Sequence, residues 1–225
     1  MMEIRAATMT EAWRQAISLI LREGRIFIDD DKQECHELRD LTVTIENPAT
    51  AADGVRAMRT AQNWVYPSEE ELANIMLDKE AASIYDYLYG QRIFGYRDAF
   101  NQIDEYVIPL LQRRPNSRRA VVSLLDPEED LRLDAKNILG LCLLHFRVVE
   151  RRLCVTAVIR TSGFFTGWPA NVYQVTKLQE YVARALSLPQ GSITTVSLSA
   201  HLFSENLEDV SAVLGKDMLV GMKRS

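Results

Sequence analysis

Two apolar runs parted by three charged residues constrain this chain most. Leu141–Val149 and Leu153–Arg160 are rich in leucine and valine, and Glu150, Arg151 and Arg152 stand between them. Both runs have strand length, so the segment predicts a β-hairpin. A further strand is predicted at Arg39–Asn47, where Leu41, Val43 and Ile45 alternate with Thr42 and Thr44, and Asn47-Pro48 ends it. Ala120–Leu125, closed by Asp126-Pro127, and Ile193–Ser199 read the same way. Helical spacing is interleaved with these. Thr10–Glu23 lines up Trp13, Ala16, Ile17, Ile20 and Leu21 on one face, with Thr10 as N-cap and Gly24 as stop. Ser68 and Glu71 form a capping box ahead of Leu72, Ile75 and Met76. Tyr96–Leu111 predicts a helix that Pro109 breaks or ends, and Val172–Ser187 one with Val175, Leu178 and Val182 inward. Residues 48–66 predict a loop with a short helix. Helices and strands mix without strict βαβ alternation, which predicts one α+β domain over residues 1–225.

Composition narrows the function classes. A chain of 225 residues can build its own core without a metal or disulfide staple. Net charge of −5 argues against a general nucleic-acid coat. No apolar run reaches membrane-span length, and the first fifteen residues lack the apolar core of a secretion signal, so no membrane partner and a cytoplasmic location are expected. Cys35, Cys142 and Cys154 have no metal-type spacing, and His36, His145 and His201 are isolated, so no metal site is expected.

Against this acidic background four short segments stand out. Arg113, Arg114, Ser117, Arg118 and Arg119 make a basic turn suited to a phosphate, or simply a solvated one. Arg160 and Thr161 end a strand and can hold an anion or a structural ion pair. Phe164–Asn171 has the glycine, proline and aromatic content of a binding loop. Its Asn171 can read a base edge or cap the next helix. His201 follows the last predicted strand, where a histidine is more often structural.

Taken in order, SRRAVVSLLDP, the paired strands, RTSGFFTGWPAN and SAHLF resemble the thymidylate synthases and related pyrimidine nucleotide hydroxymethylases. The similarity is closest to short archaeal-type members, with their ENP, NSRRAV, PAN, KLQEYVA and SAH segments. Tyr89-Gly90-Gln91-Arg92 fits the same pattern. The resemblance implies a mixed sheet flanked by helices, a sheet-mediated homodimer, and a pyrimidine nucleoside 5′-monophosphate as partner. It assigns the phosphate to Arg160 and Thr161, to Arg118 and Arg119 from across the dimer, and to Arg39. Asn171 would face the base and favour uracil, and His201 the sugar; the tyrosine usual two residues on is Phe203.

The pattern breaks at the chemistry. The family's nucleophilic cysteine lies twenty residues before the phosphate arginine, which here is Gly140, with Phe146 in the same gapless register. Cys142 is two residues further on, and bringing it into place needs a bulge in the strand. The folate-facing aspartate is replaced by Gly163, and the glutamine before Phe146 by His145. No counterpart of the aliphatic C-terminus is evident in Lys216–Ser225. Methylenetetrahydrofolate, the family's one-carbon donor, is therefore not assigned to this chain. Three readings remain. One is altered nucleotide chemistry with Cys142 and His145 as available groups. Another is an ordinary thymidylate synthase or hydroxymethylase using Cys142. The third is a nucleotide-binding protein without catalysis. With Gly140 facing the ring, no covalent adduct with 5-fluoro-dUMP is expected.

Overall fold

The computed structural model describes residues 2–60, 65–81, 88–134 and 138–215. Eight strands form one mixed sheet: β1 (Met2–Ala6), β2 (Arg25–Ile28), β3 (Glu34–Ile45), β4 (Val121–Ser123), β5 (Leu141–Val149), β6 (Arg152–Ile159), β7 (Ser162–Gly163) and β8 (Gln190–Phe203). The main path runs β1-β3-β8-β6-β5-β4, with β2 on β3 and β7 on β8. Strands β1 and β3 pair in parallel, as do β6 and β8; β5 and β6 form the predicted antiparallel hairpin.

Alternation sets which face is covered. Leu153, Val155, Ala157 and Ile159 of β6 are buried, and so are Ile193, Thr195 and Ser197 of β8. Their intervening neighbours stay partly open. Helix α1 (Met9–Glu23) packs on β1, β3 and β8, and α7 (Gly167–Ala185) on β6 and β8. The fully buried Trp13 and Trp168 bind this layer, each with its indole nitrogen satisfied, by the Phe164 carbonyl and the Thr195 hydroxyl.

Several boundaries differ from the sequence reading. Thr8, rather than Thr10, caps α1 by accepting the Glu11 amide at 3.3 Å. Residues 48–66 hold a short 3₁₀ turn and α2 (Ala51–Thr60), with 61–64 outside the described residues. The capping box stands as read, opening α3 (Glu69–Leu77). The predicted helix over Tyr96–Leu111 is instead a turn, a π-helical segment at Gln102–Val107, and α5 (Ile108–Arg113). Pro109 lies at the start of α5, directly after the π-helical segment, and the chain stays helical through it rather than ending there. Asp126-Pro127 opens the short helix α6 (Pro127–Asp130) as well as closing β4. Helix α7 begins at Gly167, so Asn171 lies inside it and is not its cap. The strand ending in Phe203 is longer than read and includes His201. Strands β1 and β2, α4 (Tyr89–Phe94) and α8 (Leu207–Leu214) add to the elements read from periodicity. Lys216–Ser225 lies outside the described residues.

Candidate functional site

The sheet is interrupted along one row. Leu141 pairs with Ile159 and Leu143 with Val158, so β5 takes two steps where β6 takes one: a β-bulge at Cys142. Ile159 pairs with Ser197 and Ser197 with Leu41. Just past that row β6 ends, the β3–β8 pairing skips Leu198, and Asp40 takes a positive φ of 57°. Bulges bend strands and re-aim side chains. Here the row opens a cavity of about 240 Å³ against α3, α4 and the start of α7.

Arg160, Thr161 and Asn171 line that cavity, as the resemblance implies. The Arg160 guanidinium is oriented from behind: its Nε donates to the Leu139 carbonyl at 3.0 Å and its Nη2 to that of Ile138 at 2.8 Å. The two Nη1 hydrogens are not engaged by these bonds, and among the described residues no carboxylate pairs with the charge, which suits an anion. Thr161 Oγ1 lies 3.4 Å from His201 Nδ1. His201 is held below the usual histidine range by burial, partly offset by the charges of Glu37 and Asp29. Asn171 sits on the first turns of α7, and the Tyr89 hydroxyl donates to its Oδ1 at 3.4 Å. Gln174, one turn on, also lines the cavity; sequence reading missed it, although its i, i+3 spacing from Asn171 on a helix was the available signal. Gly90 of the Tyr-Gly-Gln-Arg segment has a steric reason: a Cβ there would stand 2.3 Å from the Asp78 carbonyl.

Gly140 lines the cavity and Cys142 does not. Yet the thiol is close by. The Arg160 amide donates to the Gly140 carbonyl at 2.8 Å, and Cys142 Sγ lies 3.5 Å from the same oxygen. Burial pushes this thiol above its ordinary range; the Arg160 amide and charge pull it back, and the Asp130 charge raises it. A side chain at 140 has less room than the sequence suggests, because its Cβ would meet the Thr161 carbonyl at 3.1 Å.

The remaining predicted residues are elsewhere in this chain. His145, predicted as an acid/base group, pairs with Val121 and Thr156 on neighbouring strands. Leu144 and Phe146 beside it are in the core, so alternation turns His145 to the opposite face. Its Nε2 is buried without a hydrogen-bond partner among the described residues. Arg39 is exposed on β3 opposite Ser199 and does not line the cavity. Arg118 and Arg119 are exposed in the turn before β4, likewise away from the cavity.

A folate fits poorly by the family's anchor. Position 163 is a glycine, where a Cβ would find only His201 Nε2 at 3.6 Å, and no carboxylate lines the cavity among the described residues. No described cluster of His, Cys, Asp or Glu is arranged to hold a metal ion. No described helix is long and apolar enough to cross a membrane.

A bulged mixed sheet with helices on one face and an arginine-lined cavity at its interruption defines a class that the comparisons name. The thymidylate synthase family model matches residues 9–221. A protein of Methanosarcina mazei named "Putative thymidylate synthase" is 34% identical over 211 residues, covering 94% of each chain. The similarly named protein of Methanosarcina acetivorans is 32% identical over 213 residues, again 94% of each. That of Methanocaldococcus jannaschii is 24% identical over 212 residues, 90% of this chain and 91% of its own. The chain belongs to the thymidylate synthase family.

Proposed function

We propose that this protein binds a pyrimidine nucleoside 5′-monophosphate, uracil-type favoured, and activates its ring through Cys142. The observation that carries this reading is the bulge at Cys142, which supplies one of the two residues by which the thiol lies past the family's position and leaves its Sγ 3.5 Å from the Gly140 carbonyl. Arg160, oriented by two carbonyls and assisted by Thr161, holds the phosphate. Asn171 presents its amide to the base, with Tyr89 engaging the Oδ1 side so that Nδ2 is left to donate to a uracil carbonyl. His201, kept neutral at pH 7 by burial, meets the sugar. The Cys142 thiolate adds to C6 and makes C5 nucleophilic toward an electrophile. Because the residue at 163 offers no anchor, no step is assigned to a folate.

Arg118 and Arg119 belong to a neighbouring subunit's phosphate in this reading, which makes the protein a symmetric homodimer through the open sheet face. Arg39 is placed with them rather than in its own chain's cavity. The protein acts in the cytoplasm.

The test is incubation with 5-fluoro-dUMP, with and without methylenetetrahydrofolate, read by intact mass. Addition of the thiolate to C6 reverts unless an electrophile traps C5, so a lasting adduct mapped to Cys142 is expected only in the arm with the one-carbon donor, and exchange of the C5 hydrogen of dUMP with solvent deuterium reports the addition without one. A second reading, nucleotide binding without catalysis, is favoured by the raised thiol and its place outside the cavity wall. Tight nucleotide binding with neither adduct nor C5 exchange would establish it.

A further inference from the structure

The segment that pins the Cys142 bulge is itself fastened at both ends. Leu124 and Leu125 both donate to the Cys142 carbonyl, at 2.9 and 3.3 Å. Just before them, Gln102 grips Ser123 in both directions: Oε1 accepts its amide at 2.9 Å and Nε2 donates to its carbonyl at 2.7 Å. Gln102 opens the π-helical segment, a distortion common at functional sites. Just after them, Asp126 is fully buried and accepts both Arg97 Nε and Nη2 at 2.8 Å. Asp130 closes the arrangement: its Oδ2 accepts the Asp126 amide at 2.7 Å and its Oδ1 accepts Arg92 Nη2 at 2.8 Å.

Burying carboxylates and arginines is a poor way to gain stability, because desolvation offsets most of the attraction. What such a network secures is a single geometry. The structure it holds is the Ser123–Asp126 stretch, and that stretch holds the bulge. Asp130 thereby ties α6 both to α4 and to the backbone of the stretch that pins the bulge. Arg92 on α4 and Asp126 stand behind Asp130.

We propose that Asp126 and Asp130 are positioning residues for Cys142: Asp126 anchors the stretch that sets the bulge, and Asp130 fixes that anchor. This rests on the reading of Cys142 as the nucleophile, and the test separates the two. Alkylation by iodoacetamide is followed against pH in the full-length protein, residue by residue, with Cys35 and Cys154 as internal references. Asp130→Asn can accept from the Asp126 amide or from Arg92 but not from both, so it loosens the anchor. Alkylation of Cys142 at pH 7.5 becomes at least about twofold faster, while Cys154 is unchanged. Asp126→Asn keeps the helix cap and loses the Arg97 pairing. Its adduct with 5-fluoro-dUMP forms about tenfold more slowly at saturating nucleotide, with nucleotide Kd unchanged. A purely structural role would lower the melting temperature and move all three cysteines together, or none, and would overturn the proposal. So would an unchanged adduct rate in Asp126→Asn. If wild type forms no adduct but Asp130→Asn still moves Cys142 alone, the clamp stands and the nucleophile reading falls.

Discussion

The β5–β6 hairpin is built differently at its two ends. At the turn, Val149 pairs with Arg152 and the register runs unbroken from there to Leu143–Val158. At the other end the register slips at Cys142 and the strand gives way to the cavity. Each end carries a cysteine and an arginine. Cys154 Sγ accepts from the Ser192 hydroxyl at 3.7 Å, and Arg152 donates to the Gln190 carbonyl at 2.6 Å at the surface. Cys142 and Arg160 have the same side-chain chemistry at an interrupted sheet. There, the carbonyls of Ile138 and Leu139 orient Arg160, and the carbonyl that Cys142 Sγ approaches is the one the Arg160 amide engages. The contrast teaches that the two pairs differ in their surroundings and not in residue type.

The largest expected effect tests that contrast directly. Cys142→Ser abolishes any adduct with 5-fluoro-dUMP, and Cys154→Ser leaves it intact; an adduct that survives Cys142→Ser breaks the comparison. Next, Arg160→Ala weakens nucleotide binding by ~2–4 kcal/mol through loss of a charge-assisted pair, while Arg152→Ala changes it by less than ~0.5 kcal/mol. Calorimetry with nucleoside and nucleotide side by side checks that the loss is confined to the phosphate.

Asn171→Asp replaces a donor and acceptor with an acceptor and shifts preference from uracil toward cytosine by roughly 1–2 kcal/mol. Competition between dUMP and dCMP measures it, and an unchanged ratio removes Asn171 from base reading. Ser68→Ala costs about 1 kcal/mol of folding stability by removing the α3 cap, with no change in nucleotide affinity. The finest effect is a slope. His201 has a folded pKa below its unfolded value of about 6.5, so the unfolded chain takes up the proton first as pH falls. Its contribution is full above that value and is lost as pH drops toward the folded pKa. Stability measured between pH 7 and 5 falls less steeply in His201→Gln, provided the variant folds; parallel slopes would mean that His201 does not titrate in this window.

What one chain's sequence determined was local and periodic. The buried stripe of α1, the Ser68–Glu71 box and the β5–β6 hairpin follow from spacing alone, because 3.6- and 2-residue periods report which side chains face the core. The order of short motifs singled out Arg160, Thr161 and Asn171, which line one cavity. Other features were invisible. The edge strand β2, Arg25–Ile28, is exposed along its length and so carries no burial alternation to read. The π-helical segment has a helix's apolar spacing with a different ladder. A bulge adds one residue to a strand without changing its composition, so only the fold could show that Cys142 stands at one, with Gly140 opposite Arg160 as the gapless count has it. Tertiary structure decided that point because register depends on hydrogen bonds from another segment. Here they are the amides of Leu124 and Leu125, whose place is set by charges on α4 and α6 and in the loop after α4, remote from the hairpin in sequence.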